Sequence, residues 1–156
     1  METSHIKDII CFAKVRFNPK DALAWSRILL LLESVGPKGA QVITQEIKDA
    51  LKNNQPLELN HHKQKAYFQD LHAILSLIFN QTENFDSLSV FIKQALIYYK
   101  PQFEEKYDDY NKRISDLDFL HLIAERFSSM EDFLTEMSLD PPESNQEQAE
   151  KLKEDE

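Results

Sequence analysis

Glycine is nearly absent from this chain, with two residues in 156. A fold rich in β-hairpins draws on glycine for its tight turns, so a β-rich class is disfavoured. Gly36 and Gly39 are three positions apart. That spacing excludes a G-x-x-x-x-G-K-[ST] phosphate loop. Cysteine is rarer still: Cys11 alone excludes an intrachain disulfide and a cysteine zinc cluster, and points to an intracellular, cytoplasmic location. Long apolar runs are missing too. The longest, Ile28 to Leu32, falls far short of the roughly 20 residues a membrane span needs, and the N-terminus carries no signal-peptide core. No membrane partner is expected.

What is present belongs to a folded helical protein. Hydrophobic residues make up 42 %, above the range of disordered chains, and the length fits one domain with a real core. Net charge is −9, unevenly spread. Residues 1–53 carry +2, residues 54–139 carry −6, and residues 140–156 carry −5. Affinity for nucleic acid comes largely from neutralised phosphates, so any such contact should be local and lie in the N-terminal third.

Helical periodicity runs through every long segment. Ser4 to Arg16 reads as a first helix, with Ile6, Ile9, Ile10, Ala13 and Phe17 on one face and Asn18-Pro19 as its stop. Asp21 opens a second helix to Leu32, with Leu23, Trp25, Ile28, Leu29 and Leu32 available for burial. A third follows Gly36 to Lys52. Asn53 to Asn60 contains Pro56 and reads as a loop. Helices are expected from His62 to Phe79, from a Ser87 cap through Tyr99, from Asn111 to Phe127, and from a Ser129 capping box through Met137, with Pro101 starting or interrupting a segment. The expectation is an all-α fold of seven or eight helices over residues 1–142, ended by Pro141-Pro142, with 143–156 an acidic linker or frayed tail.

Both glycines sit in LLLLESVGPKGAQVI, residues 29–43. Pro37 suits the first turn of a helix, and Gly36 can take a turn conformation that a Cβ resists. The N–H groups of Lys38, Gly39 and Ala40 then lie at a positive helix end beside a lysine, which is a phosphate-binding arrangement. The segment resembles the helix-hairpin-helix by which DNA-handling proteins grip a duplex backbone. An ordinary αα-turn is the plain alternative.

The surroundings extend the resemblance. ETSHIKDIICF, then FNPKDALAWSRIL, then the hairpin, and later ALIYYKPQFEEKYDDYNKRISDLDFL and SMEDFLTEMSLDPP, resemble the accessory 2B subdomain of UvrD/Rep-type superfamily 1A DNA helicases. The matching positions include Tyr98, Tyr99, Pro101, Lys106, Tyr107, Asp108, Asp109, Arg113, Asp116 and Leu117. Ser34 stands where that hairpin has its first glycine, and Gly39 where it has threonine. The resemblance implies an excised subdomain without ATPase motifs. It would contact duplex DNA weakly through Gly36, Pro37, Lys38, Gly39 and Ala40, with Lys14, Arg16, Lys20 and Arg27 adding to the field. The parent would be an ATP- and Mg²⁺-dependent 3′→5′ helicase acting in DNA repair, whose motor domains are the other partner. It implies no catalytic residue and no cofactor in this stretch.

Other residues point elsewhere more faintly. His61-His62 with His72, His5 or His121 lacks an H-x-x-x-H pair with a carboxylate on one face, so the histidines read as exposed and no metal site is expected. Asp108-Asp109 reads as a solvated helix start, Cys11 as an inert core thiol, and at least one of Tyr98 and Tyr99 as a packed ring rather than a base-stacking one. Two further functions stay open: a free-standing helical protein-protein adaptor, and a small helical metal-dependent hydrolase built on the histidines and the Asp108 region.

Overall fold

The computed structural model describes residues 4–79 and 87–139. It is all-helical, with seven α-helices, one turn of 3-10 helix, and no strand among the described residues. The helices are α1 (Ser4–Phe17), α2 (Ala22–Leu29), α3 (Pro37–Lys52), α4 (Phe68–Phe79), α5 (Leu88–Lys106), α6 (Tyr110–Ala124) and α7 (Met130–Leu139). The 3-10 turn spans Asn60–His62. The expected Pro141-Pro142 stop and the 143–156 tail lie outside the described residues. No helix among them is long and apolar enough to cross a membrane.

The chain divides into two compact units. Among the described residues, the first unit holds 4–13 and 87–139, and the second holds 14–79.

In the first unit, α1 contributes Ile6, Ile9, Ile10, Phe12 and Ala13 to the core, and α5 packs on α6. Phe91, Ile92, Ala95, Tyr99 and Phe103 line the inward face of α5. That face explains why α5 runs through Pro101, a residue expected to start or interrupt a segment. An interior proline costs about 3 kcal/mol, because it removes an N–H and crowds the carbonyl four residues back. That carbonyl belongs to Ile97, which is exposed. Tyr99 and Phe103, on either side of the proline, are fully buried. Each contributes roughly 1.5–3 kcal/mol of burial, which outweighs the proline penalty. Helix α6 ends at Ala124, three residues short of the expected Phe127, after burying Leu117, Leu120 and Ala124. Ser129 starts α7 as expected, its Oγ accepting from Asp132 N–H at 3.1 Å. Ser87 precedes α5 as expected, but its hydroxyl meets that of Ser89 rather than a helix N–H.

In the second unit, α2 packs on α3. Asp21 caps α2 by accepting from Ala24 N–H at 3.1 Å. Trp25 is fully buried, stacks on Phe79 at 6.1 Å, and donates its indole N–H to Pro19 O at 2.7 Å. Thus the Asn18-Pro19 stop also satisfies the one polar atom of the largest core side chain. Helix α2 ends at Leu29, short of the expected Leu32. Leu31 and Leu32 tighten into i→i−3 bonds, and Leu23 is exposed rather than buried. Helix α4 starts at Phe68, six residues after the expected His62, because Asn60–His62 closes as a 3-10 turn with His62 held in a polar cluster.

Candidate nucleic-acid interface

The turn between α2 and α3 is built by Ser34, not by a glycine. Ser34 has φ +66°, the left-handed conformation that costs a residue with a Cβ about 1 kcal/mol. This is the position where the resembling hairpins carry their first glycine. Val35 then turns inward and is buried. Gly36 is extended, at φ −97° and ψ −174°, so the expected special conformation falls two residues earlier than Gly36.

Gly36 is the N-cap of α3 and, lacking a side chain, leaves the helix start uncapped. Pro37 occupies the first turn, where its missing N–H is harmless. Ala40 N–H donates to Gly36 O at 2.9 Å, and the Ala40 side chain is fully buried. Of the three N–H groups expected to face a phosphate, Ala40's is therefore already used, which leaves those of Lys38 and Gly39. Gly36, Pro37 and Lys38 are exposed, and nothing lies within 4 Å of a Cβ built at Gly36. A Cβ at Gly39 would meet only Val35 Cγ1 at 3.6 Å, an ordinary contact.

The supporting cations belong to the same unit. Residues 14–80 carry nine Lys/Arg and six Asp/Glu, a net +3 within a chain of −9. Lys20 and Lys38 are exposed, while Lys14, Arg16 and Arg27 are half-buried. Arg16 donates from Nη1 to Ile78 O at 2.7 Å, so this guanidinium has a structural bond as well as a charge.

The other residues that carry the resemblance converge in the first unit. Asp8 is fully buried and accepts from the Tyr99 hydroxyl, from Lys106 Nζ at 3.1 Å and from the Tyr107 hydroxyl at 3.3 Å. His5, also fully buried, lies between Asp116 Oδ2 at 2.9 Å and Arg113 Nη1 at 3.2 Å. Arginine can only donate, so His5 Nδ1 must accept and Nε2–H must donate to Asp116. His5 is thus neutral in a fixed tautomer. Burial, its largest cause, pulls the His5 pKa below the ordinary value against the opposing pull of Asp116. Arg113 also donates to Asp109 Oδ1 at 2.8 Å and lies over the Tyr107 ring at 4.2 Å. Burial and the Asp8 carboxylate drive the Tyr99 phenol far above its ordinary pKa. These side chains come from positions roughly 100 residues apart and tie the start of α1 to α5 and α6 through buried polar bonds.

Asp108 and Asp109 are exposed, and the Arg113 hydrogen bond holds the Asp109 carboxyl below its ordinary pKa. Cys11 is a buried free thiol. Tyr99 is fully buried and Tyr98 half-buried.

The histidines depart from the exposed reading. His62 is buried, with Nε2 at 2.9 Å from Glu46 Oε2 and Nδ1 at 2.6 Å from the Tyr67 hydroxyl. His61 Nε2 lies 3.0 Å from Glu46 Oε1. The carboxylate partner absent from the local sequence comes from mid-α3, 15 and 16 positions away. His72 is exposed, and His121 faces Glu125 on α6 at 3.8 Å. Comparison of the chain with known protein families, with curated proteins and with solved structures finds no match.

Proposed function

We propose that this chain is a duplex-contacting accessory module of the UvrD/Rep helicase 2B type, with no ATPase chemistry of its own. The observation that carries the reading is the uncapped, glycine-flanked start of α3. Lys38 and Gly39 N–H lack a capping side chain there, an exposed lysine stands beside them, and the unit that holds them is net positive. Backbone donors and one ammonium bind a phosphate without reading base edges, so the contact is independent of sequence. ATP and Mg²⁺ would belong to the motor domains of the parent helicase. Two features support the family side of the proposal: Ser34, at the position of the hairpin's first glycine, holds a left-handed conformation that glycine takes without strain, and the distant motif residues His5, Asp8, Tyr99, Tyr107, Arg113 and Asp116 converge in one network.

The contact is small and the chain as a whole is acidic, so affinity in isolation is weak, at or above the roughly 10⁻⁴ M end of non-specific binding. Fluorescence anisotropy with a short duplex across a salt series tests it. Lys38→Glu should weaken binding equally on unrelated sequences and lower the salt slope by about 1. An unchanged slope and affinity would leave the turn a purely structural one.

A further inference from the structure

We propose that Glu46, His61 and His62 form a binding site for one Zn²⁺ ion. The three side chains offer two imidazole nitrogens and a carboxylate oxygen, all within 4.8 Å of one another. Both Nε2 atoms converge on the same carboxylate, one on each oxygen, at 3.0 and 2.9 Å. A tetrahedral zinc ion with bonds of about 2.0–2.1 Å places its ligand atoms roughly 3.3 Å apart. Each nitrogen-to-carboxylate separation is already close to that edge, and the three ligand atoms stay within 4.8 Å of one another, so side-chain rotation alone brings them around one ion.

The support around the ligands fits the same role. A ligating histidine usually has its second nitrogen fixed by a hydrogen bond, and His62 Nδ1 is fixed by the Tyr67 hydroxyl at 2.6 Å. Without metal, His62 Nε2–H donates to Glu46 and Nδ1 accepts from Tyr67. With metal, Nε2 presents its lone pair and Nδ1–H donates to the same phenol oxygen. A phenol both donates and accepts, so Tyr67 serves both tautomers without moving. His61 and His62 sit on one 3-10 turn with ring centroids 4.1 Å apart, which aims two neighbouring side chains at one point.

Glu46 and His61 also line an open cleft of about 530 Å³ with Asp49, Asn53 and Glu58. Three protein ligands leave one position of a tetrahedral ion unfilled, and the cleft beside Glu46 and His61 gives water access to it. Two imidazoles with one carboxylate suit Zn²⁺ and disfavour Mg²⁺ and Ca²⁺, which take oxygen ligands. Bound metal would tie residues 60–62 to α3, the helix whose first turn carries the proposed duplex contact.

The test uses the full chain without a histidine tag, stripped with chelator and titrated with Zn²⁺ by calorimetry and with Co²⁺ by visible absorption. The expected result is one ion per chain, the intense d–d bands of tetrahedral Co²⁺, and no displacement by millimolar Mg²⁺. His61→Ala and Glu46→Gln should each weaken Zn²⁺ at least tenfold, and Tyr67→Phe about tenfold. His61 is exposed and Glu46→Gln keeps its shape, so both variants should retain the wild-type far-UV circular dichroism. Substoichiometric binding, equal affinity in both ligand variants, or ready competition by Mg²⁺ would each overturn the assignment.

Discussion

Replacing Asp8 by alanine should be among the most damaging polar substitutions in this protein. Its carboxylate is fully buried and accepts from Tyr99, Tyr107 and Lys106. Removing it strands the Tyr99 hydroxyl, whose residue is fully buried, at about 1–3 kcal/mol for an unsatisfied buried donor. The Tyr107 hydroxyl adds a smaller loss, since its 3.3 Å bond is long. The Lys106 side chain is 39 % exposed, so its share is heavily screened and adds little. The total is about 2–4 kcal/mol, a large part of the roughly 5–15 kcal/mol that holds a folded domain. With a urea slope of about 2 kcal/mol per M, the unfolding midpoint should fall by roughly 1–2 M. Asp8→Asn keeps an acceptor and the volume, and should cost about half as much. In Asp8→Ala/Tyr99→Phe the Tyr99 hydroxyl is no longer there to be stranded, so the double variant should recover about 1–2 kcal/mol against the sum of the singles. Near-UV circular dichroism follows the first unit, which holds four of the five tyrosines, while the single Trp25 reports on the second. A midpoint shift below about 0.5 M for Asp8→Ala, or strict additivity in the double variant, would show that the carboxylate is not the keystone of this network.

Ser34→Gly should stabilise the chain by about 0.5–1 kcal/mol, because relief of the left-handed strain exceeds the added unfolded-state entropy; a lower melting temperature would contradict it. Gly39→Ala should raise stability by a similar amount, since an added Cβ meets only Val35 at 3.6 Å and alanine favours the helix; unfolding curves decide the sign. His5 sets a pH dependence. Its folded pKa lies below the ordinary value of 6.5, so as pH falls below about 6.5 the unfolded chain takes up a proton that the folded chain resists, and stability drops. Urea midpoints between pH 7 and 5 should therefore fall, and His5→Gln should flatten that slope by up to one proton; an equal slope in the variant would refute the assignment. Glu46 acts lower on the scale: hydrogen bonds from His61 and His62 overcome the opposing effect of burial and hold its carboxyl below 4.5, so its contribution is lost as pH falls from about 4.5.

Much of the helical order is written locally. Asp21 and Ser129 make their cap bonds where short-range signals place them, Pro37 opens α3, and the loop around Pro56 ends it. Local signals fail where tertiary packing decides. Pro101 reads as a boundary, yet Tyr99 and Phe103 hold the helix through it. The run of leucines after Leu29 reads as continuing helix, yet the chain tightens and turns at Ser34. The hairpin is visible from its Gly-Pro step, but that Ala40 N–H is already used follows only from the formed helix. The His61–His62 cluster could not be read from spacing, because its carboxylate lies on α3 and reaches the histidines only when the chain folds back. The same holds for His5, whose partner Asp116 is 111 positions away.

The most direct test of the central proposal follows backbone amide resonances of the full chain during titration with a mixed-sequence DNA duplex at millimolar concentration. The largest shifts should fall on Lys38 and Gly39, appear with any duplex sequence, and fade as salt rises. Gly36→Asp should abolish them while leaving the fold at least as stable, because the new carboxylate caps the same N–H groups and repels phosphate. Shifts centred away from the start of α3, or shifts there that survive Gly36→Asp, would contradict the account.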